Sequence, residues 1–264
     1  VCSSDLLYVS SGVIAGGKTF ASFFGLPFAL GAILTTLIVV FYTFFGGFRA
    51  VCLTDAFQGA LMFLVLIIIP LGAYFALDLN NTSFFKEVLK YENIASSQHL
   101  NPFSNQTFLG ILGLLAWGLG YFGQPHIIVR FMAIRSSKEL DQARNIGISW
   151  MALGLLGAVC SGLIGFVYFN QQGINLKDAE TVFLELGKTL FHPFFVGIII
   201  TAVLAAIMST MSSQLLVTAS SVTKDFIFAF YKKDVSAKTQ TLISRISVIF
   251  IAVISTFLNR KSVV

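Results

Sequence analysis

The segment Leu61-Met62-Phe63-Leu64-Val65-Leu66-Ile67-Ile68-Ile69 is apolar at every position. It does not alternate in polarity, so it is not a strand of a membrane barrel. It has no polar stripe, so as a helix it has no face to turn toward water. A helix apolar on all sides belongs in hydrocarbon, where a crossing needs about 20 residues. Six stretches meet or approach that length: 7–24, 26–45, 54–77, 108–122, 146–169 and 194–217. A seventh begins near residue 242. Composition agrees. Apolar residues are 56% of the chain, charged residues 11%, and mean hydropathy is +0.85. A soluble domain carries about 25% charged residues. The expected fold class is an all-α membrane protein with six full transmembrane helices and a truncated seventh, its partner the lipid bilayer. The net charge of +5 includes no basic patch interleaved with aromatics, so nucleic acid is not an expected partner. Cys2, Cys52 and Cys160 have no spacing suited to zinc or a disulfide framework, and Cys52 and Cys160 read as small packing residues.

The loops give an orientation. Arg49, then Arg130, Arg135, Lys138 and Arg144, then Lys224, Lys232, Lys233, Lys238 and Arg245 fall on one side if each span crosses once. The positive-inside rule puts that side in the cytoplasm. The opposite loops mix Lys86, Lys90, Lys177 and Lys188 with Asp78, Glu87, Glu92, Asp178, Glu180 and Glu185. Short surface helices are expected at 82–91 and 176–190. The basic stretch 127–145 is expected to be helical, either lying on the membrane surface or serving as a plain connector. Both ends, 1–6 and 260–264, back-translate to a common sequencing-adapter string. Natural sequence is therefore expected only over 7–259.

Polar groups inside a spanning helix are costly, which makes them the first places to look for function. In Ala205-Ala206-Ile207-Met208-Ser209-Thr210-Met211-Ser212-Ser213-Gln214 the small residues permit close helix approach. Ser209 and Thr210 offer adjacent hydroxyls, hard ligands suited to Na+. Spacing alone favours another arrangement, in which these hydroxyls bond back to carbonyls one turn earlier. In Ala116-Trp117-Gly118-Leu119-Gly120-Tyr121-Phe122-Gly123-Gln124-Pro125-His126, three glycines and a proline weaken the helix. Broken helices in transporters expose backbone groups to a substrate. Trp117 and Tyr121 share a face and could wall a small ring, or could form an interfacial belt. His126 reads as a loop or surface residue. Gly12 and Gly16, with Ser10, Ser11 and Ala15, form a small-residue face suited to packing. Asp55 is expected to open the third span beside the positive end of its dipole. No nucleophile–base pair or metal cluster stands in the spans, so an enzyme is not expected.

These motifs carry a resemblance. Trp117 to Ile127 with Arg130-Phe131-Met132 resembles a signature of the sodium:solute symporter family, in its proline-transporting branch. Ala205 to Thr210 with Ser212, Gln214 to Val217 and Ser220-Ser221 resembles a second. Gly46 to Val51 with Thr54, Asp55 and Gln58 resembles a third, and Tyr8 with Ser11, Gly12, Ala15 and Gly16 a fourth. The resemblance implies a partial LeuT-type inverted-repeat core and Na+-coupled uptake of L-proline across a bacterial cytoplasmic membrane. Na+ is then held by Ser209 and Thr210 hydroxyls and the Ala206 carbonyl. Substrate lies near Tyr8, Trp117, Tyr121, Gln124 and Pro125. Asp55 and Arg245 match positions tied to coupling. Val9 and Ser213 replace cysteines of the proline branch. The helix that supplies the other half of both sites precedes residue 7, so this stretch alone is not expected to transport. Two other readings follow from the same resemblance: a symporter-like sensory domain fused to a kinase, and a sibling symporter for another organic solute. Oligomeric state is not set by the sequence.

Overall fold

A computed structural model describes residues 2–79, 82–95, 100–101, 103–104, 106–120, 123–176, 178–228 and 236–259. Among them every regular element is helical. The helices are α1 (Cys2–Phe24), α2 (Phe28–Phe75), α3 (Phe84–Ala95), α4 (Phe108–Gly120), α5 (Pro125–Met132), α6 (Leu140–Gln171), α7 (Val182–Leu190), α8 (Pro193–Ser221) and α9 (Ala237–Asn259). A wider, π-type turn over Val222–Phe228 follows α8.

At 48 residues, α2 is about twice the length one crossing needs. It is divided at Gly47, whose φ of 57° and ψ of −160° lie outside any helix. That conformation is open to glycine and strained for other residues. The break falls at the expected Gly46-Gly47 pair. The resumption differs from expectation, since the helix restarts directly after Gly47 rather than at residue 54. Arg49 therefore stands in a first helical turn and not in a loop. Asp55 lies two turns inside the second half of α2, where the positive end of the helix no longer reaches it. Thr54 does not cap that half; its hydroxyl bonds back to the Ala50 and Val51 carbonyls.

The chain forms two compact units. The first holds α1, α2 as far as Met62, α8 from Ile200, and α9. Its core gathers Val9 and Val13 of α1, Val39 of α2, Met211 and Leu215 of α8, and Val248 and Ile251 of α9. The small face of α1 serves packing as expected. A methyl group on Gly12 would overlap the Met211 side chain, and one on Gly16 would overlap Thr35.

The second unit runs from Phe63 to Ile199. There the Gly157 backbone of α6 abuts the Leu66 carbonyl of α2, and Gly165 abuts Val182 and Leu186. The expected surface helices are present in shorter or shifted form, as α3 and as Val182–Leu190 after a single 3-10 turn. The stretch 127–145 is not one helix. It breaks after Met132, and the chain turns through 133–136 before a 3-10 turn (Ser137–Glu139) leads into α6. The Ser136 hydroxyl accepts from the Lys138 backbone N–H and caps that restart. His126 sits half-buried in the first turn of α5 rather than in a loop.

Five helical segments among the described residues are long and apolar enough to cross a membrane; they include α2, α6 and α8. Phe41, Phe57 and Phe75 are each more than 60% exposed. Such a surface is unsupportable in water over this many residues and ordinary against acyl chains.

Candidate cation and substrate site

The middle of α8 is a run of hydroxyls whose partners lie one turn back. Ser209 Oγ donates to the Ala206 carbonyl at 3.1 Å, and Thr210 Oγ1 donates to the same oxygen at 3.1 Å. Ser212 and Ser213 repeat the pattern on the Ser209 carbonyl, at 3.1 Å and 2.7 Å. The back-bonded arrangement favoured by spacing is thus present, and it brings Ala206, Ser209 and Thr210 together. It is compatible with cation binding. A hydroxyl that donates its proton keeps two acceptor lone pairs. Three oxygens of two residues and a carbonyl are therefore grouped on one turn, with the electron density a hard cation needs.

Exposure around α8 is uneven. Met211, Ser212, Ser213 and Gln214 are buried, Ala206 and Ser209 half-buried, and Thr210 exposed. The Gln214 Oε1 is buried with no hydrogen-bond partner among the described residues.

The buried side of this turn is held by α2. Ser213 Oγ also lies 3.3 Å from Asp55 Oδ2, sharing its one proton between that oxygen and the Ser209 carbonyl, so the Asp55 carboxylate reaches α8 from the second half of α2. From the first half, Tyr42 Oη donates to the Met208 carbonyl at 2.9 Å. The sequence reading passed over Tyr42. A signal was available, since the Tyr42 and Thr43 hydroxyls stand there between Val39, Val40 and Phe41 on one side and Phe44 and Phe45 on the other. Arg245 of α9 meets the same helix at its break. Its Nη2 approaches the Phe45 carbonyl at 3.5 Å, and its guanidinium carbon lies 5.5 Å from the Phe44 ring centre. Phe45 is at the C-terminal end of the first half of α2, where carbonyls lack helical partners and a cation is favoured.

The expected substrate residues divide between the units. Tyr8 lies on α1, 39% exposed, and its carbonyl accepts from Ser11 Oγ at 2.8 Å. In the second unit α4 ends at Gly120 and α5 begins at Pro125. Trp117 falls on α4, though its side chain is outside the described residues, and Tyr121 is outside them altogether. Gln124 is extended, with φ −83° and ψ 113°, and its carbonyl receives the N–H groups of Ile127 and Ile128. Pro125 takes the first helical position, where a missing N–H costs nothing. The helix weakening expected over Ala116 to His126 is met at Gln124, which is extended immediately before α5.

The chain belongs to the sodium:solute symporter family, whose model matches residues 5–262. With its spanning helices, that makes it part of a multi-pass membrane protein. It is 47% identical over 252 residues to sodium/proline symporter 2 of Staphylococcus saprophyticus, covering 94% of this chain and 48% of that protein. It is 48% identical over 254 residues to the osmoregulated proline transporter OpuE of Bacillus subtilis, covering 96% and 50%. The sodium/proline symporter of Staphylococcus aureus is 48% identical over 253 residues, with 94% and 48% covered. The chain thus spans about half the length of these relatives. Its fold matches a Na+-coupled sialic acid symporter in a substrate-bound, outward-open state. The TM-score is 0.80 at 19% identity, over 99% of this chain and 57% of that one.

Proposed function

We propose that the protein to which this chain belongs carries L-proline into a bacterial cell, across the cytoplasmic membrane, driven by co-transported Na+. The observation that carries the reading is the turn at Ala206, Ser209 and Thr210, where two hydroxyls and a carbonyl gather in a helix long and apolar enough to cross a membrane. Nothing in apolar packing calls for them, and polar groups at such depth are costly without a use. Na+ takes the two hydroxyls and, when one of them turns away, the Ala206 carbonyl. L-proline is bound by Trp117, Tyr121, Gln124 and Pro125; the family resemblance adds Tyr8 of α1 as a further substrate residue. The aromatic rings suit the apolar pyrrolidine ring. The extended backbone at Gln124, just before α5, suits its charged ends. Proline is supported as the solute by relatives at 47–48% identity that are named for it. Asp55 and Arg245 serve coupling by tying α2 to α8 and α9. Ion and solute favour one conformation, so each raises the affinity for the other.

The test is uptake of labelled L-proline by cells expressing the full-length gene, with Na+ varied and other amino acids as competitors. Saturable, Na+-dependent uptake that resists competition is expected. Uptake indifferent to Na+ would sink the symport reading. Displacement by a different solute at lower concentration would replace proline with a sibling substrate.

A further inference from the structure

The Na+ reading uses Ser209, Thr210 and Ala206 and leaves Tyr42 without a task. Yet Tyr42 is a long-range polar tether onto that turn. Its phenol donates to the Met208 carbonyl at 2.9 Å, one residue before Ser209 and 166 residues away in sequence. On the same turn the Ser212 hydroxyl donates to the Ser209 carbonyl, and Ser213 Oγ lies 3.3 Å from the Asp55 carboxylate, also of α2. The two halves of α2 therefore hold α8 on either side of Ser209, Tyr42 at Met208 and Asp55 through Ser213.

This stretch of α8 needs such a hold. Back-bonded serine and threonine hydroxyls weaken and bend a helix, and four of them fall between Ser209 and Ser213. A bound ion tolerates little error in where its oxygens stand. A phenol is a stiff donor, with few torsions to spend.

We propose that Tyr42 is a positioning residue for the cation: its hydroxyl fixes the Met208 carbonyl, and so sets the Ser209 and Thr210 oxygens that follow it, without touching the ion. The inference rests on the Na+ reading of Ser209 and Thr210. It differs from the role of a ligand in that Tyr42 acts only through α8.

The experiment is a Na+ titration of proline uptake by the full-length protein, at fixed membrane amount, in wild type, Tyr42→Phe, Ser209→Ala and the double variant. Tyr42→Phe keeps the ring and loses only the donor. It is expected to raise the Na+ concentration for half-maximal uptake about fivefold to tenfold, the size one hydrogen bond commands. The rate at saturating Na+ should stay within about twofold, because the site is loosened and not removed. In the Ser209→Ala background the Tyr42→Phe effect should shrink, since residues acting through one network are not additive. Wild-type Na+ dependence in Tyr42→Phe beside a shifted Ser209→Ala would overturn the role of Tyr42 and leave the Na+ reading standing. Full additivity would also overturn it, as would a fall in maximal rate alone. Unchanged Na+ dependence in both single variants would remove the Ser209 ligand and the Tyr42 proposal together. If Tyr42→Phe does not reach the membrane, Tyr42→Leu, which also removes the donor, carries the test. A rise in half-saturating Na+ supports the proposal, and an unchanged value overturns it.

Discussion

At the scale of single residues, what a hydroxyl donates to does not settle what it can bind. Ser209 and Thr210 spend their protons on the Ala206 carbonyl and keep their lone pairs. Removing one lowers the oxygen count without disturbing the fold, because its partner carbonyl retains the ordinary helical bond. Ser209→Ala and Thr210→Ala in the full-length protein should each raise half-saturating Na+ in uptake assays by about tenfold, with protein amount in the membrane unchanged. A titration matching wild type in both would count against the assignment. The packing glycines predict a different pattern. Gly16→Ala forces a methyl into the fully buried Thr35 side chain. It should destabilise the detergent-solubilised protein by about 1–3 kcal/mol in thermal unfolding. Gly59→Ala, with nothing within 4 Å of the added carbon, should be neutral or slightly stabilising, by about 0.5 kcal/mol.

At the scale of elements, the α2 break turns on one residue. A methyl at Gly47 meets no neighbour, so the cost of Gly47→Ala is wholly that of φ 57° and ψ −160°. It should be about 1–3 kcal/mol, read as a lowered unfolding temperature with no change in substrate preference. Much of this level was legible in the sequence, because helix breakers and apolar runs act locally. Gly47 breaks α2, and Gln124 is extended ahead of Pro125, near glycines and a proline that weaken a helix. The restart directly after Gly47 was not legible. Arg49, Thr54 and Asp55 look like loop chemistry until Thr54 is seen to satisfy its hydroxyl on Ala50 and Val51. The Ala206, Ser209 and Thr210 grouping was legible because its partners are three and four residues apart. The Tyr42 contact was not, since no local spacing encodes a partner on a helix so distant along the chain.

At the scale of the whole molecule, the charge pattern predicts which loops face which side. A cysteine replacing Lys138 or Lys224 should react with a membrane-impermeant thiol reagent only in inverted vesicles, and one replacing Lys86 only in intact cells. The opposite labelling would reverse the orientation derived from the basic loops.

The joint at Gly47 joins two spans with no intervening loop. It therefore has no slack to absorb a change in length. A single codon gained or lost between Gly47 and Asp55 would turn every later residue of that half by about 100° around its axis. The carboxylate would swing off Ser213 toward another neighbour. Away from Tyr42, Gly47 and Asp55, substitutions are expected to be better tolerated along α2 than insertions or deletions near this joint.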